Sequence, residues 1–304
     1  MTSLNLFTLS IPVSPLFSIK NEPKETALFT EPEPAKWATQ SFQFQPDPIQ
    51  TEILNHPAHR LMLLCTRQFG KTQITALKAL HFALTHPRAL VVVASPCERR
   101  SAEWLLRITH LLHTLGLPHR RDGIHQFSAV LPNQARLIGL PGVADNNRGY
   151  PAHLLIFEEA AFVPDPLWKS LTASIVATQG RLWLISSAGS QFGFFHHQWH
   201  ETEIPWSRFR VTADQCPRIS PESLAEQRIL LGESDFNREF QCEFTAEGPQ
   251  VISLESLNRA FDPTVPPINQ GKPLWYENRY GPTRIEPLMV TSAFQLCPLG
   301  SHPR

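Results

Sequence analysis

The stretch Cys65-Thr-Arg-Gln-Phe-Gly-Lys-Thr72 is the strongest indication of the fold, because it connects a short apolar run to a predicted helix. Residues 61–65 suit one strand, and residues 71–86 have a helical pattern that Pro87 ends. In this context the N–H groups at the helix N-terminus face a phosphate, the lysine reaches its oxygens and the threonine hydroxyl ligates Mg²⁺. We therefore predict a phosphate-binding loop, or P-loop, although Cys65 replaces the first glycine of the usual G-x-x-x-x-G-K-[ST] pattern. Its predicted nucleotide-binding residues are Thr66, Arg67, Gln68, Phe69, Gly70, Lys71 and Thr72.

A second motif, Leu154-Leu-Ile-Phe-Glu-Glu-Ala-Ala161, ends another apolar run with two carboxylates. A P-loop ATPase needs an acidic group near Mg²⁺ and a base that orients the attacking water. We expect Glu158 to bind the metal through water, with Thr72 as a further ligand, and Glu159 to polarise the nucleophile. An ordinary Gly-Lys turn and a pair of solvated glutamates are the alternatives for the two motifs.

Strands and helices alternate through the middle of the chain. Apolar, non-alternating runs predict strands at 61–65, 89–94, 136–140, 154–157 and 182–186, and helical patterns lie at 71–86, 101–115 and 166–178. This order predicts an α/β fold of the P-loop NTPase class, with a mostly parallel central sheet flanked by helices. Residues 220–232 and 235–244 predict two further helices, which form a small helical subdomain.

Composition excludes several classes of protein. Lys plus Arg and Asp plus Glu are 27 each, so the chain is not a strongly basic DNA-coating protein, whereas a local DNA-binding patch is compatible with this balance. No apolar run approaches the roughly 20 residues that span a bilayer. The 5 cysteines form no C-x-x-C pair, which favours a reducing cytosol over a disulfide framework. Of the 28 prolines, 7 fall in residues 1–48 and 8 in residues 263–304, so the two ends are not expected to be regular core.

From about Pro34 to Phe261 the chain resembles the ATPase domain of a phage large terminase subunit, the motor that packages DNA into tailed-phage capsids. The resemblance rests on ordered matches to motifs of that family. They are Pro46-Asp-Pro-Ile-Gln50, the arginine-bearing P-loop Arg67–Thr72, Glu158–Ala161, Ser186-Ser-Ala-Gly-Ser190, Gly193-Phe-Phe195, Cys216-Pro-Arg-Ile-Ser-Pro221 and Glu239-Phe-Gln-Cys-Glu-Phe244.

The resemblance implies further roles for residues at the matching positions. Gln50 is expected to contact adenine, and Arg67 to act as a catalytic arginine against the γ-phosphate, alongside Lys71 and Glu159. Ser187 belongs to the segment that senses the γ-phosphate and transmits hydrolysis to the helical subdomain. Arg148 matches a recurrent position, where it is either a sensor or an arginine donated to a neighbouring subunit; the alternative is a surface loop arginine.

The resemblance also implies a function and partners. The protein is expected to be an ATP- and Mg²⁺-dependent motor that acts on double-stranded DNA in the bacterial host cytoplasm. Its expected protein partners are a small terminase subunit, a portal ring and further copies of itself. No association with a membrane is expected. A helicase-like DNA translocase and a truncated prophage remnant that binds nucleotide without hydrolysis are the alternative functions.

Two departures from the family pattern qualify this expectation. Glu158 stands where the family has aspartate, and octahedral Mg²⁺ is strict about geometry. The clustered acidic ligands of the family's nuclease domain are not found after Phe261. We therefore expect a proline-rich leader at 1–45, the ATPase domain at 46–211, the helical subdomain at 212–262 and an irregular tail without a nuclease at 263–304.

Two other pairs of residues are expected to have a structural role and not to form a site. His196 and His200 have the i, i+4 spacing of a zinc pair but no further ligand nearby in sequence, so we expect a packed helix face. Arg99 and Arg100 open a predicted helix, and a solvated helix start is favoured there over a DNA contact.

Overall fold

The parallel sheet expected from the sequence is present in the structure, a computed structural model that describes residues 33–140, 142, 149–246, 274–278 and 281–285. Its strands are β1 (Arg60–Cys65), β2 (Leu90–Ala94), β3 (Ser128–Val130), β4 (Arg136–Leu140), β5 (Leu154–Glu158), β6 (Arg181–Ser186) and β7 (Ser207–Val211). They follow the order β3-β4-β2-β5-β6-β1-β7, and all neighbours are parallel except β3 and β4. The predicted fold class is therefore confirmed.

Helices cover both faces of the sheet. They are α1 (Pro34–Phe42), α2 (Pro48–Asn55), α3 (Lys71–Thr85), α4 (Glu98–Thr114), α5 (Asp165–Thr172), α6 (Gly193–His200) and α7 (Pro221–Phe240). One apolar core lies between the sheet and α1 to α4, and a second lies between the opposite face and α5 and α6.

The apolar strands contribute side chains alternately to the two cores. Along β1, Leu61 and Leu63 belong to the first core, whereas Met62 and Leu64 belong to the second. All four are buried. A parallel sheet covered on both faces needs apolar residues at every position, which explains why these strands lack polar alternation.

Two strands, β3 and β7, lack the apolar pattern that predicts the other strands, because both lie at the edges of the sheet. β7 has the sequence Ser-Arg-Phe-Arg-Val, and its first four residues are half-buried or exposed. β3 has only 3 residues. Neither shows the apolar run by which the central strands are recognised.

Several other elements differ from the sequence expectation. α1 lies within the residues assigned to the leader, and it buries Trp37 in the first core. The two helices expected after residue 220 are joined as α7, with a break at Gly232, where φ is +75° and ψ is 168°, values open to glycine because it has no Cβ.

The chain divides into two units, Met1–Gly248 and Pro249–Arg304. Within residues 263–304, which were expected to form an irregular tail, the strands β8 (Leu274–Asn278) and β9 (Gly281–Ile285) form an antiparallel pair. Across the described residues, no helix has the length and apolar character to cross a membrane.

Candidate functional site

The P-loop connects β1 to α3 at the carboxyl edge of the sheet. Gly70 is the N-cap of α3 with φ of +88°, a left-handed conformation that glycine adopts at little cost. A Cβ at this position would lie 3.2 Å from Nε2 of Gln50. Cys65 is buried at the base of the loop, and burial raises the pKa of its thiol. The left-handed turn at Gly70 therefore starts α3 directly after the loop, and a helix N-terminus favours a bound anion.

Lys71 is folded over the loop that precedes it. Its Nζ donates hydrogen bonds of 3.0 Å to the carbonyl oxygens of Cys65 and Thr66. The Lys71 ammonium therefore lies against the backbone of the P-loop.

Thr72 and Glu158, the two residues expected at the metal site, are in contact. The Thr72 hydroxyl donates a short hydrogen bond to Oε1 of Glu158. The Glu158 side chain is buried, and its Oε2 has no hydrogen-bond partner among the described residues. Burial raises the pKa of Glu158 to about 7, while the hydrogen bond from Thr72 opposes that rise. A hydroxyl beside an unpartnered carboxylate oxygen fits Mg²⁺, which prefers oxygen ligands. The described residues contain no cluster of three His, Cys, Asp or Glu side chains that could hold a metal.

An open cleft of about 650 Å³ lies over the P-loop. Glu159, which follows Glu158 with φ of +54°, lines it, as does Ser187 directly after β6. Residues from four parallel strands or their following segments meet here, so the cleft lies where ligands bind in open α/β sheets. Its lining residues are Arg67, Gln68, Gly70, Lys71, Thr72, Gln73, Pro96, Cys97, Arg100, Arg107, Glu159, Phe162 and Ser187.

Gln50 is buried in α2 and contacts the P-loop directly. Its Nε2 donates to the carbonyl oxygen of Phe69 at 2.8 Å. Its Oε1 accepts from the backbone N–H of Asp47 at 3.2 Å, which completes a capping box at the start of α2. Gln50 is therefore adjacent to the loop but outside the lining of the cleft.

Arg218, for which the sequence predicted no role, also contacts the P-loop and α2. It donates to the Phe69 carbonyl at 2.8 Å and forms an ion pair with Asp47 at 3.1 Å. The segment between β7 and α7 is thereby attached to both α2 and the P-loop.

Arg67 lines the cleft while paired with α7. Its Nε donates to Oε2 of Glu239 at 2.6 Å. The carbonyl of Glu239 also accepts from the backbone N–H of Arg67 at 3.1 Å and from the Thr66 hydroxyl at 3.3 Å. The end of α7 and the P-loop are therefore one hydrogen-bonded structure.

The segment after β6 is likewise attached to the chain beyond α7. Thr245 donates from its N–H to the Gly189 carbonyl at 3.1 Å, and its own carbonyl accepts from the Gln191 N–H at 2.8 Å. Residues 189 and 191, which follow Ser187, are therefore hydrogen-bonded to residue 245.

Not every predicted residue reaches the cleft. The side chains of Thr66 and Phe69 are buried, the Thr66 N–H donates to the Val211 carbonyl, and the Phe69 carbonyl accepts from Gln50 and Arg218. Arg148 lies outside the described residues. Conversely, Arg100 and Arg107 of α4 line the cleft without having been predicted there. The only sequence signal was their position after a central strand, which does not define the direction of a side chain.

Comparison with known proteins gives one consistent family. A family model described as "Terminase large subunit, T4likevirus-type, N-terminal" matches residues 62–259, more than half of the chain. A comparison with curated protein sequences gave no significant match.

Solved structures resemble this fold at low sequence identity. The large terminase ATPase domain of Thermus phage P74-26 has a TM-score of 0.60 and 18% identity, covering 70% of this chain and 99% of that one. The large terminase of a thermophilic bacteriophage, in complex with ATP-gamma-S, has a TM-score of 0.57 and 12% identity, covering 66% and 53%. For the large terminase of bacteriophage HK97 the TM-score is 0.55 and the identity 14%, with coverage of 66% and 50%. The match thus spans about half the length of the latter two proteins.

Proposed function

Because the chain belongs to the terminase large-subunit family, with the fold of its ATPase domain, we propose that it hydrolyses ATP and uses that energy to move double-stranded DNA during genome packaging. The observation that carries this proposal is the cleft over the P-loop, which collects Lys71, Thr72, Glu159 and Ser187. The similar large terminase from the thermophilic bacteriophage was crystallised with ATP-gamma-S and with ADP, which supports an adenine nucleotide as the ligand.

Each side chain of the cleft has a different role in the proposed phosphoryl transfer. Lys71 reaches the β- and γ-phosphate oxygens once the ligand replaces its two carbonyl acceptors. Glu159 accepts a hydrogen bond from the attacking water and orients it toward the γ-phosphate. Thr72 and, through water, Glu158 would hold Mg²⁺, which would supply positive charge to offset that of the phosphate oxygens.

Glu158 must be ionised to serve in this way. Burial raises its pKa to about 7, so a fraction of the carboxyl is protonated at neutral pH without ligand. A neighbouring cation favours the ionised form.

Two routes connect the cleft to the rest of the chain in this proposal. Arg67 is bonded to Glu239 at the end of α7, and the segment after Ser187 is bonded to Thr245. These contacts support transmission of hydrolysis to the helical region. The partners we propose are double-stranded DNA, a small terminase subunit, a portal ring and further copies of this chain, all in the host cytoplasm.

ATPase measurements on variants of the full chain test the activity. We expect Lys71→Ala and Glu159→Gln each to lower the turnover number about 100-fold or more, because the first removes a phosphate contact and the second removes the water-orienting carboxylate. The matched control is Glu226→Gln, an exposed position on α7 outside the cleft lining. Turnover that stays within about twofold of the wild type in both cleft variants contradicts the proposal.

A further inference from the structure

Four cationic side chains line the cleft, and three of them are already bound by the protein. Lys71 donates to two loop carbonyls, and Arg67 is paired with Glu239. Arg107 donates from Nη1 to Oε1 of Gln73 at 2.7 Å. Arg100 is the fourth member of this group.

Within the part of the chain that the structure describes, the Arg100 guanidinium forms neither a hydrogen bond nor an ion pair. Its neighbour Arg99, one residue earlier in α4, instead points to Glu103 on the same helix, with 3.7 Å between Nε and Oε1, and does not line the cleft. Arg100 and Glu159 line the same cleft, so the charge of Arg100 lies on the side of the acidic motif. An unpaired guanidinium that faces an open cleft is available to an anionic ligand.

The strand order indicates which part of a nucleotide Arg100 faces. The central strands are arranged β2-β5-β6-β1. The P-loop follows β1, Ser187 follows β6, the pair Glu158 and Glu159 ends β5, and Arg100 lies on α4 after β2. Arg100 is thus separated from the P-loop by the acidic pair. In the proposed mechanism Glu159 orients the water that attacks the terminal phosphate, so this phosphate would lie on the side of the P-loop that faces the acidic pair and α4.

We propose that Arg100 binds the terminal phosphate of ATP and that it distinguishes ATP from ADP. This inference rests on the proposed ATPase function and adds to it a phosphate-binding residue on α4. Arg100 provides positive charge at the cleft while Arg67 is held by Glu239. A guanidinium also donates two parallel hydrogen bonds to a phosphate, which a lysine does not.

Calorimetric titration of the full chain with ATP-gamma-S and with ADP, both with Mg²⁺, tests this role. We expect Arg100→Ala to weaken binding of ATP-gamma-S about tenfold to 100-fold, the loss typical of a charge-assisted hydrogen bond, and to leave ADP binding within about twofold. Arg100→Lys is expected to recover part of the loss. Arg99→Ala, the matched control from the same helical turn, should leave both affinities within about twofold.

The outcomes separate this inference from the proposed function. If the wild type binds ATP-gamma-S and Arg100→Ala binds it equally well, or loses ATP-gamma-S and ADP to the same extent, the role of Arg100 is wrong while the ATPase proposal stands. If the wild type binds neither nucleotide, both are wrong. Arg100 is exposed, so we expect Arg100→Ala to unfold at the wild-type temperature without ligand, which excludes misfolding as the cause of a loss.

Discussion

At the scale of single residues, Lys78 shows how a buried charge is accommodated beside the site. Its Nζ donates to the carbonyl oxygens of Leu54 and His56, at 2.5 and 2.7 Å, and lies 5.6 Å from the centre of the Trp183 ring. Only 6% of the residue is exposed. Burial, with a smaller contribution from Arg181, lowers the pKa of Lys78 from 10.5 to about 7. Lys78 therefore caps carbonyl groups at the C-terminal end of α2, although burial of its amine is unfavourable.

This pKa shift makes stability depend on pH. Between the folded value of about 7 and the unfolded value of 10.5, the unfolded chain binds more protons than the folded one, so stability rises with pH. The free energy of unfolding of the wild type, relative to Lys78→Met, should increase by up to about 1.4 kcal/mol per pH unit across this window. Urea unfolding at a series of pH values from 7 to 10 measures the difference.

The control for this prediction is Lys169→Met on the exposed face of α5. Its free energy of unfolding should run parallel to that of the wild type at every pH. Parallel curves for Lys78→Met would mean that Lys78 keeps an ordinary pKa.

At the scale of elements, three pieces of chain far apart in sequence meet at the P-loop. α2 approaches through Gln50, the segment between β7 and α7 through Arg218, and α7 through Glu239. All three bond to the carbonyl or N–H groups of loop residues or to their side chains. The shape of the loop thus depends on partners outside the strand and helix that it joins.

Arg218→Met tests the middle contact. Removing the guanidinium eliminates the hydrogen bond to Phe69 and the ion pair with Asp47, whereas Phe69 keeps its bond from Gln50. We expect the free energy of unfolding to fall by about 1–2 kcal/mol, because Asp47 is largely buried while Arg218 is half exposed. Arg99→Met, which breaks a surface pair within one helix, should lower it by no more than about 0.5 kcal/mol. Equal losses in urea unfolding for the two variants would argue against a special role for Arg218.

At the scale of the whole molecule, the cleft exists only in the folded chain. Its walls follow β1, β2, β5 and β6, which lie as two pairs far apart in the sequence and stand side by side in the sheet, in the order β2-β5-β6-β1. A ligand that binds this cleft has no matching site in the unfolded chain. Binding must therefore stabilise the folded state by mass action.

Thermal unfolding with and without Mg²⁺ and ATP-gamma-S measures this stabilisation. At a ligand concentration 100 times the dissociation constant, we expect the wild type to gain about 2.7 kcal/mol and to unfold at a higher temperature. Lys71→Ala should lose most of the shift, since it lacks a phosphate contact, whereas Lys169→Met should keep it. An unchanged unfolding temperature in the wild type at saturating ligand would show that the cleft does not bind the nucleotide.

Much of the fold was predictable because the central strands are buried on both faces. That environment requires apolar residues at every position, so β1, β2, β5 and β6 stand out from the sequence. The site motifs were predictable for a related reason: P-loop and acidic residues follow such strands directly. β7 and Arg100 were missed because an edge strand tolerates polar residues, and because the direction of a helical side chain depends on how the helix packs.

The α/β class could be predicted from the sequence, and the P-loop and acidic motifs could be proposed from it, since each depends on local chain chemistry: an apolar strand, a turn with Gly70 and a helix start at Lys71. Only the tertiary structure decided which distant groups share the cleft. Strand order placed Arg100 opposite the P-loop, and packing of α7 placed Glu239 against Arg67. The physical reason is that contacts between elements depend on the register and orientation of the whole sheet, which no short stretch of sequence encodes.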